Sequence, residues 1–171
     1  LKFSPFIIRT SDQHRIEVGI TPASSVDFEQ TKDHWQTDWT SDYIINSQAE
    51  KYAMRTQEGE LVALGAYEIL PSSVIVHIIY LESHPESNPT IVKENRKYYG
   101  IGKALVSFGI KLSVDCGFGG DVTFEAKTPE LAAHYEKDFG AIPLPTFDTL
   151  TPPRYLLSGE AAKTIFSQFL K

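Results

Sequence analysis

Sulfur is scarce in this sequence: one cysteine and one methionine in 171 residues. With Cys116 alone, no disulfide can form within the chain, so a small disulfide-stapled scaffold is excluded. The five histidines and the single cysteine show no metal-ligand spacing, and no metal is expected. No apolar run reaches about 18 residues, so no membrane-spanning helix is expected. No charged-then-apolar leader opens the chain, and a cytoplasmic protein is the expectation. Positive charge is also short: 16 Lys and Arg against 22 Asp and Glu leave a net charge of −6. A general nucleic-acid binder needs a basic face, so nucleic acid is not expected as a partner. A cationic, amine-bearing partner is compatible with this balance.

Apolar residues make up 42% of the chain, enough for one domain with a core over residues 1–171. Its organising stretch runs from Arg96 to Cys116. Lys97-Tyr98-Tyr99-Gly100-Ile101-Gly102-Lys103 is a basic, glycine-punctuated turn. Ile101, Ala104, Leu105, Phe108, Leu112 and Cys116 then recur at helical spacing, and Gly117 marks a stop. The first turn of a helix carries N–H groups without partners and the positive end of the helix dipole. Glycines allow close approach to the backbone, and Lys97 and Lys103 add charge, so phosphate or pyrophosphate is the natural occupant. The turn is not a dinucleotide fingerprint, because Leu105 stands where a third glycine is required. It is not a Walker loop either, because Ala104 follows Gly102-Lys103.

The flanks are patterned. Arg15–Ile20 reads as a short strand. Phe28, Thr31, Trp35 and Trp39 fall at helical spacing, so residues 26–48 read as one or two short helices with both tryptophans on one face. Glu50–Gln57 and Leu61–Leu70 read as a hairpin turning at Glu58-Gly59-Glu60. Val74–Leu81 is apolar nearly throughout, as in the centre of a covered sheet. Residues 83–95 form a long loop. A strand at Asp121–Ala126 leads to a helix begun by Thr128-Pro129. Ala141–Leu144 and Arg154–Leu157 read as short strands. A helix at Gly159–Leu170 follows, able to pack on the domain or on a second subunit, so a homodimer is conceivable.

This order, over roughly residues 50–157, resembles the GNAT superfamily of acyl-CoA-dependent N-acetyltransferases. The family's pyrophosphate motif, Arg/Gln-x-x-Gly-x-Gly/Ala, is read here as Lys97-x-x-Gly100-x-Gly102. The resemblance implies an α/β fold with a mixed, mostly antiparallel central sheet flanked by helices, to which the C-terminal helix is an addition. It implies acetyl-CoA as cosubstrate, its pyrophosphate cradled by backbone N–H groups from Tyr99 to Ala104 (Gly100, Ile101, Gly102 and Lys103 between them), with Lys97 and Tyr98 also at the cofactor. The central strand is expected to bulge and splay, leaving the backbone at Leu81 and Ser83 to bond the pantetheine arm.

The implied reaction moves an acetyl group to a primary amine of a small molecule or a protein, without a covalent enzyme intermediate. Tyr135, on the helix after the fifth strand of the family core, matches the family's proton donor, although Gly140 lies one residue further on than the family pattern has it. His77 and Glu82 are candidate bases, with His84 behind them. Cys116 is expected to be a buried structural residue. Two other readings stand beside this one: a non-catalytic acyl-CoA-binding regulatory module, and a GNAT-type toxin acting on aminoacyl-tRNA.

Overall fold

The computed structural model describes residues 1–171. Nine strands form one sheet: β1 (Phe6–Arg9), β2 (Arg15–Pro22), β3 (Glu50–Thr56), β4 (Leu61–Leu70), β5 (Ile75–Ser83), β6 (Tyr98–Tyr99), β7 (Val122–Glu125), β8 (Ile142–Pro143) and β9 (Arg154–Leu157). Their order across the sheet is β6-β1-β2-β3-β4-β5-β7-β9-β8. Every pairing is antiparallel except β5 with β7. A parallel pair needs a long crossover. Here the crossover carries α3 (Ile101–Asp115).

The glycine-turn helix is therefore the element that the central strands are built around. Gly109 lets it sit down on the sheet: a Cβ there would lie 3.0 Å from Ile78 Cδ1. Tyr67 of β4 donates its hydroxyl to the Leu105 carbonyl at 2.8 Å. Burial on α3 is wider than the single stripe that the spacing suggests. Val106 and Ile110 are buried along with Ala104, Leu105 and Phe108, because α5 (Gly159–Ser167) packs on the helix as well as the sheet. Leu112 is half-buried and Cys116 is exposed, which corrects the expectation of a buried structural cysteine. Cys116 caps the end of α3, past the part that the sheet and α5 cover.

Two short helices, α1 (Ser25–Thr31) and α2 (Asp42–Ile45), cover part of the opposite face. Trp35 and Trp39 lie between them in irregular chain rather than on one helical face. They are core residues all the same: Trp39 is fully buried and packs with Ile44, Ala53, Leu64 and Ala66. Their spacing mimicked a helix because the loop folds back on the sheet, not because a helix continues. The hairpin at residues 50–70 and the last strand fall where the pattern puts them. Val74 is the exception at the start of β5: it adopts φ 57 in a turn, so the strand begins at Ile75. Helix α4 (Pro129–Lys137) is capped by the Thr128 hydroxyl, which accepts the Leu131 N–H at 3.1 Å.

Candidate functional site

The middle of the sheet contains an opening. Between β4 and β5 the register slips: Tyr67 pairs with Ile78 but Ala66 pairs with Tyr80, so Ile79 is an extra residue, a β-bulge. β5 pairs with β7 only over Val76, His77 and Ile78. From the bulge onward, β5 has a strand partner on one side alone. The His84 N–H donates to the Val62 carbonyl at 2.9 Å. Counting back in twos along an antiparallel ladder, the backbones of Glu82 and Tyr80 face β4, and those of Ser83 and Leu81 face the open side. The two positions singled out for an extended ligand arm are thus the ones with N–H and C=O groups aimed into the gap.

The glycine turn lies at the end of the loop that leaves β5. Gly100, at φ 86, is the N-cap of α3. The N–H groups of Ile101, Gly102 and Lys103 precede the first helical hydrogen bond, Ala104 N–H to Gly100 O at 3.1 Å. A Cβ built on Gly102 meets nothing within 4 Å. Glycine inside a helix costs about 1 kcal/mol relative to alanine. Nothing in the fold crowds Gly102, and a small residue there leaves the N–H groups of the helix start open to a ligand.

Four members of the predicted cradle are already engaged within the protein. The Lys97 ammonium is held by Glu60, with Glu86 at 4.0 Å, so its charge is spent on the loop side. The Tyr98 N–H donates to Ser87 Oγ at 3.1 Å. Tyr99 pairs with Ile8 of β1 beside the Thr10 N–H to Lys97 O bond, which commits its N–H to the sheet edge. With the Ala104 N–H closing the first helical turn, the free donors narrow to Ile101, Gly102 and Lys103. Lys103 makes no ion pair and is the remaining cation of the turn.

Tyr135 of α4 packs against Phe124 at 4.5 Å, Phe139 at 5.9 Å and Tyr155 at 6.1 Å between ring centres. Phe124 is the β7 residue opposite Ile78, where the parallel pairing stops. Burial raises the Tyr135 phenol above its ordinary value, so it keeps its proton at neutral pH.

His77 is buried in the paired part of β5, and its Nδ1 lies 2.8 Å from Thr123 Oγ1. Burial, with the charge of Arg154, lowers its pKa, so the ring stays neutral. It stands four residues before Leu81, about 13 Å along an extended strand, so it cannot touch a group held at Leu81.

Glu82 is the residue whose surroundings the sequence concealed. Its carboxylate accepts the Gln36 N–H at 2.7 Å, the Thr37 N–H at 3.1 Å and the Trp39 indole N–H at 2.9 Å. Gln36 in turn accepts from Asn88 Nδ2 at 3.3 Å and from Thr90 Oγ1 at 3.0 Å. His84 sets its ring edge to Trp35 at 6.0 Å, and its Nδ1 accepts the Glu86 N–H at 3.1 Å. Local sequence carries no signal for the Glu82 and Gln36 links, because their partners lie dozens of positions apart.

No protein-family model matches the chain, and no curated protein matches it. Solved structures do. A Corynebacterium glutamicum protein described as histone acetyltransferase HPA2 and related acetyltransferase is 18% identical, with TM-score 0.51 over 81% of this chain and 94% of that one. AtaTR bound with AcCoA is 12% identical, with TM-score 0.57 over 87% of this chain and 98% of that one. A Bacillus subtilis acetyltransferase in complex with CoA is 15% identical, with TM-score 0.54 over 83% and 97%. Other matched chains are GNAT-family acetyltransferases. At these identities the likeness is one of fold: this chain has the GNAT acetyltransferase fold.

Proposed function

We propose that this protein is an acetyl-CoA-dependent N-acetyltransferase acting on a primary amine. One observation carries the reading. The open edge of β5 beyond Ile78 and the glycine-started helix α3 belong to one crossover unit, as a ligand with an amide-bearing arm and a pyrophosphate requires. The open space at position 102 supports the same ligand. So do the neighbours of like fold that were solved with acetyl-CoA or CoA.

In this reading the N–H groups of Ile101, Gly102 and Lys103 bind the pyrophosphate, with help from the helix dipole and the Lys103 ammonium. The pantetheine amides bond the backbone of Leu81 and Ser83 like an added strand. The Leu81 N–H polarises the thioester oxygen as negative charge grows there.

The amine nitrogen then attacks the thioester carbon. A C–N bond forms, the C–S bond breaks, the departing thiolate takes a proton from the Tyr135 hydroxyl, and the proton shed by the acylated nitrogen restores that hydroxyl. The acceptor enters as an ammonium and must first lose a proton. His77 is kept neutral by burial and receives it through water along the strand face. The acceptor is a small-molecule or protein amine, in line with the net charge of −6.

The test is thiol release from acetyl-CoA across a panel of amines, comparing the unaltered protein with Gly102→Glu. Amine-dependent release that the substitution abolishes supports the proposal. Tight CoA binding with no release for any amine would convert the protein into a CoA-binding module.

A further inference from the structure

The geometry points to Glu82 as a positioning residue for the acceptor amine rather than the base. This inference rests on the acetyltransferase reading. Face α3 of the sheet is closed by its own helix, which packs on Ile78 and Tyr67. An acceptor must therefore reach the open edge of β5 from the other face. Residues 35–39 stand on that face. They are irregular chain, with no helical or sheet hydrogen-bond ladder of their own.

Beside the Trp35 N–H to Thr31 O bond at 3.0 Å and the packing of Trp39, one carboxylate ties them to the strand. Glu82 is 8% exposed, and its two oxygens accept two backbone N–H groups and the Trp39 indole. The Trp39 ring has no exposure at all and stacks 6.4 Å from Phe28. Gln36 extends the tie to Asn88 and Thr90, joining the loop after β5 to the same unit. The residues on either side of Glu82, Leu81 and Ser83, turn their backbones into the gap. The strand segment that presents the thioester thus also holds the wall past which the amine arrives. With three donors aimed at about four lone-pair sites, and with little exposure, the carboxylate serves chiefly as their acceptor.

The position of this wall then sets acceptor affinity, and the chemical step is left to other groups. Replacing Glu82 by Gln aims an NH2 group at N–H donors and releases the segment. Trp39→Phe removes one donor and keeps the carboxylate, so it is the companion variant should Glu82→Gln fold poorly.

The experiment uses the whole protein in both variants, with spermidine and lysine methyl ester as amine probes. Three readouts are taken: calorimetric affinity for acetyl-CoA, the split between kcat and amine KM across pH, and amide hydrogen exchange at Gln36 and Thr37. A positioning role gives unchanged acetyl-CoA affinity, an amine KM raised about tenfold or more, kcat within about threefold, an unshifted pH profile, and lost protection at Gln36 and Thr37. A kcat drop of about a hundredfold with unchanged KM and loss of the acid limb would make Glu82 the base and overturn the inference. Retained protection at Gln36 and Thr37 overturns it too, whatever the kinetics. If the unaltered protein fails to bind acetyl-CoA, the acetyltransferase reading falls instead, and the exchange data still decide whether Glu82 holds the wall.

Discussion

Ile78 pairs with Phe124, and there the two parallel strands part company. One residue later the bulge at Ile79 turns β5 away, and the backbones of Leu81 and Ser83 are left facing an open edge. Tyr135 packs on Phe124 itself, at the mouth of that opening. The strand edge and the helix start belong to one crossover from β5 to β7, and the phenol follows it on α4, packed against the last paired residue of β7.

The two glycines of the turn are expected to respond oppositely to alanine. Gly102 has helical backbone and open space at Cβ, so Gly102→Ala gains about 1 kcal/mol of helix propensity. Thermal unfolding should rise by roughly 2–4 °C while CoA binding is kept, since the motif takes glycine or alanine at this place. Gly100 sits at φ 86, where a side chain costs about 1–2 kcal/mol, so Gly100→Ala should lower the unfolding temperature. Melting curves and calorimetry on both variants check this. A Gly102→Ala protein that is folded but loses CoA binding contradicts a helix start with room for a methyl group beside the ligand.

The lysines of the turn should separate likewise. Lys97 is committed to Glu60, so Lys97→Ala leaves the CoA dissociation constant within about twofold, a change near the limit of measurement. Lys103→Ala removes the free cation and should weaken binding roughly tenfold, about 1.4 kcal/mol, and less at high salt. The reverse order would show that the Lys97 pair breaks to receive the ligand.

Tyr135→Phe keeps the ring against Phe124, Phe139 and Tyr155 and removes only the hydroxyl. Turnover should fall by about a hundredfold with CoA affinity unchanged. Full turnover in this variant removes Tyr135 as the acid.

His77 should leave a mark on both stability and activity. Its folded value lies below the ordinary imidazole value, chiefly through burial. The unfolded chain takes up a proton near pH 6.5, and the folded protein does so only at lower pH. Stability from the neutral ring is therefore present above about pH 6.5 and is lost as pH falls below it. Between about pH 7.5 and about pH 5.5, His77→Gln should lose less melting temperature than the unaltered protein. The acid limb of kcat/KM should vanish in the same variant. An acid limb that survives the substitution assigns the base elsewhere.

Much of this architecture was legible from residue pattern. The apolar run before residue 82, the glycine turn and the helix after it identify the crossover, because each follows a local rule of burial, turn chemistry or helix spacing. The short strand at Arg154–Leu157 falls where its pattern ends. What was not legible depends on contacts between distant segments. Trp35 and Trp39 have helical spacing but sit in a loop, because Glu82 supplies from 43 positions beyond Trp39 the acceptors that a helix would have supplied locally. Lys97 reads as a phosphate ligand until Glu60 is seen beside it. Cys116 matches the apolar stripe of α3 but lies past the end of what covers that helix. In each case the local signal was genuine and a partner far off in sequence decided the outcome.

The central claim is that the start of α3 holds the pyrophosphate of acetyl-CoA. Isothermal titration of acetyl-CoA and CoA into the unaltered protein and into Gly102→Glu tests it most directly, with circular dichroism to confirm that both are folded. Micromolar binding that disappears in the folded variant is the expected result. Equal binding by both proteins, or none by the unaltered one, contradicts it.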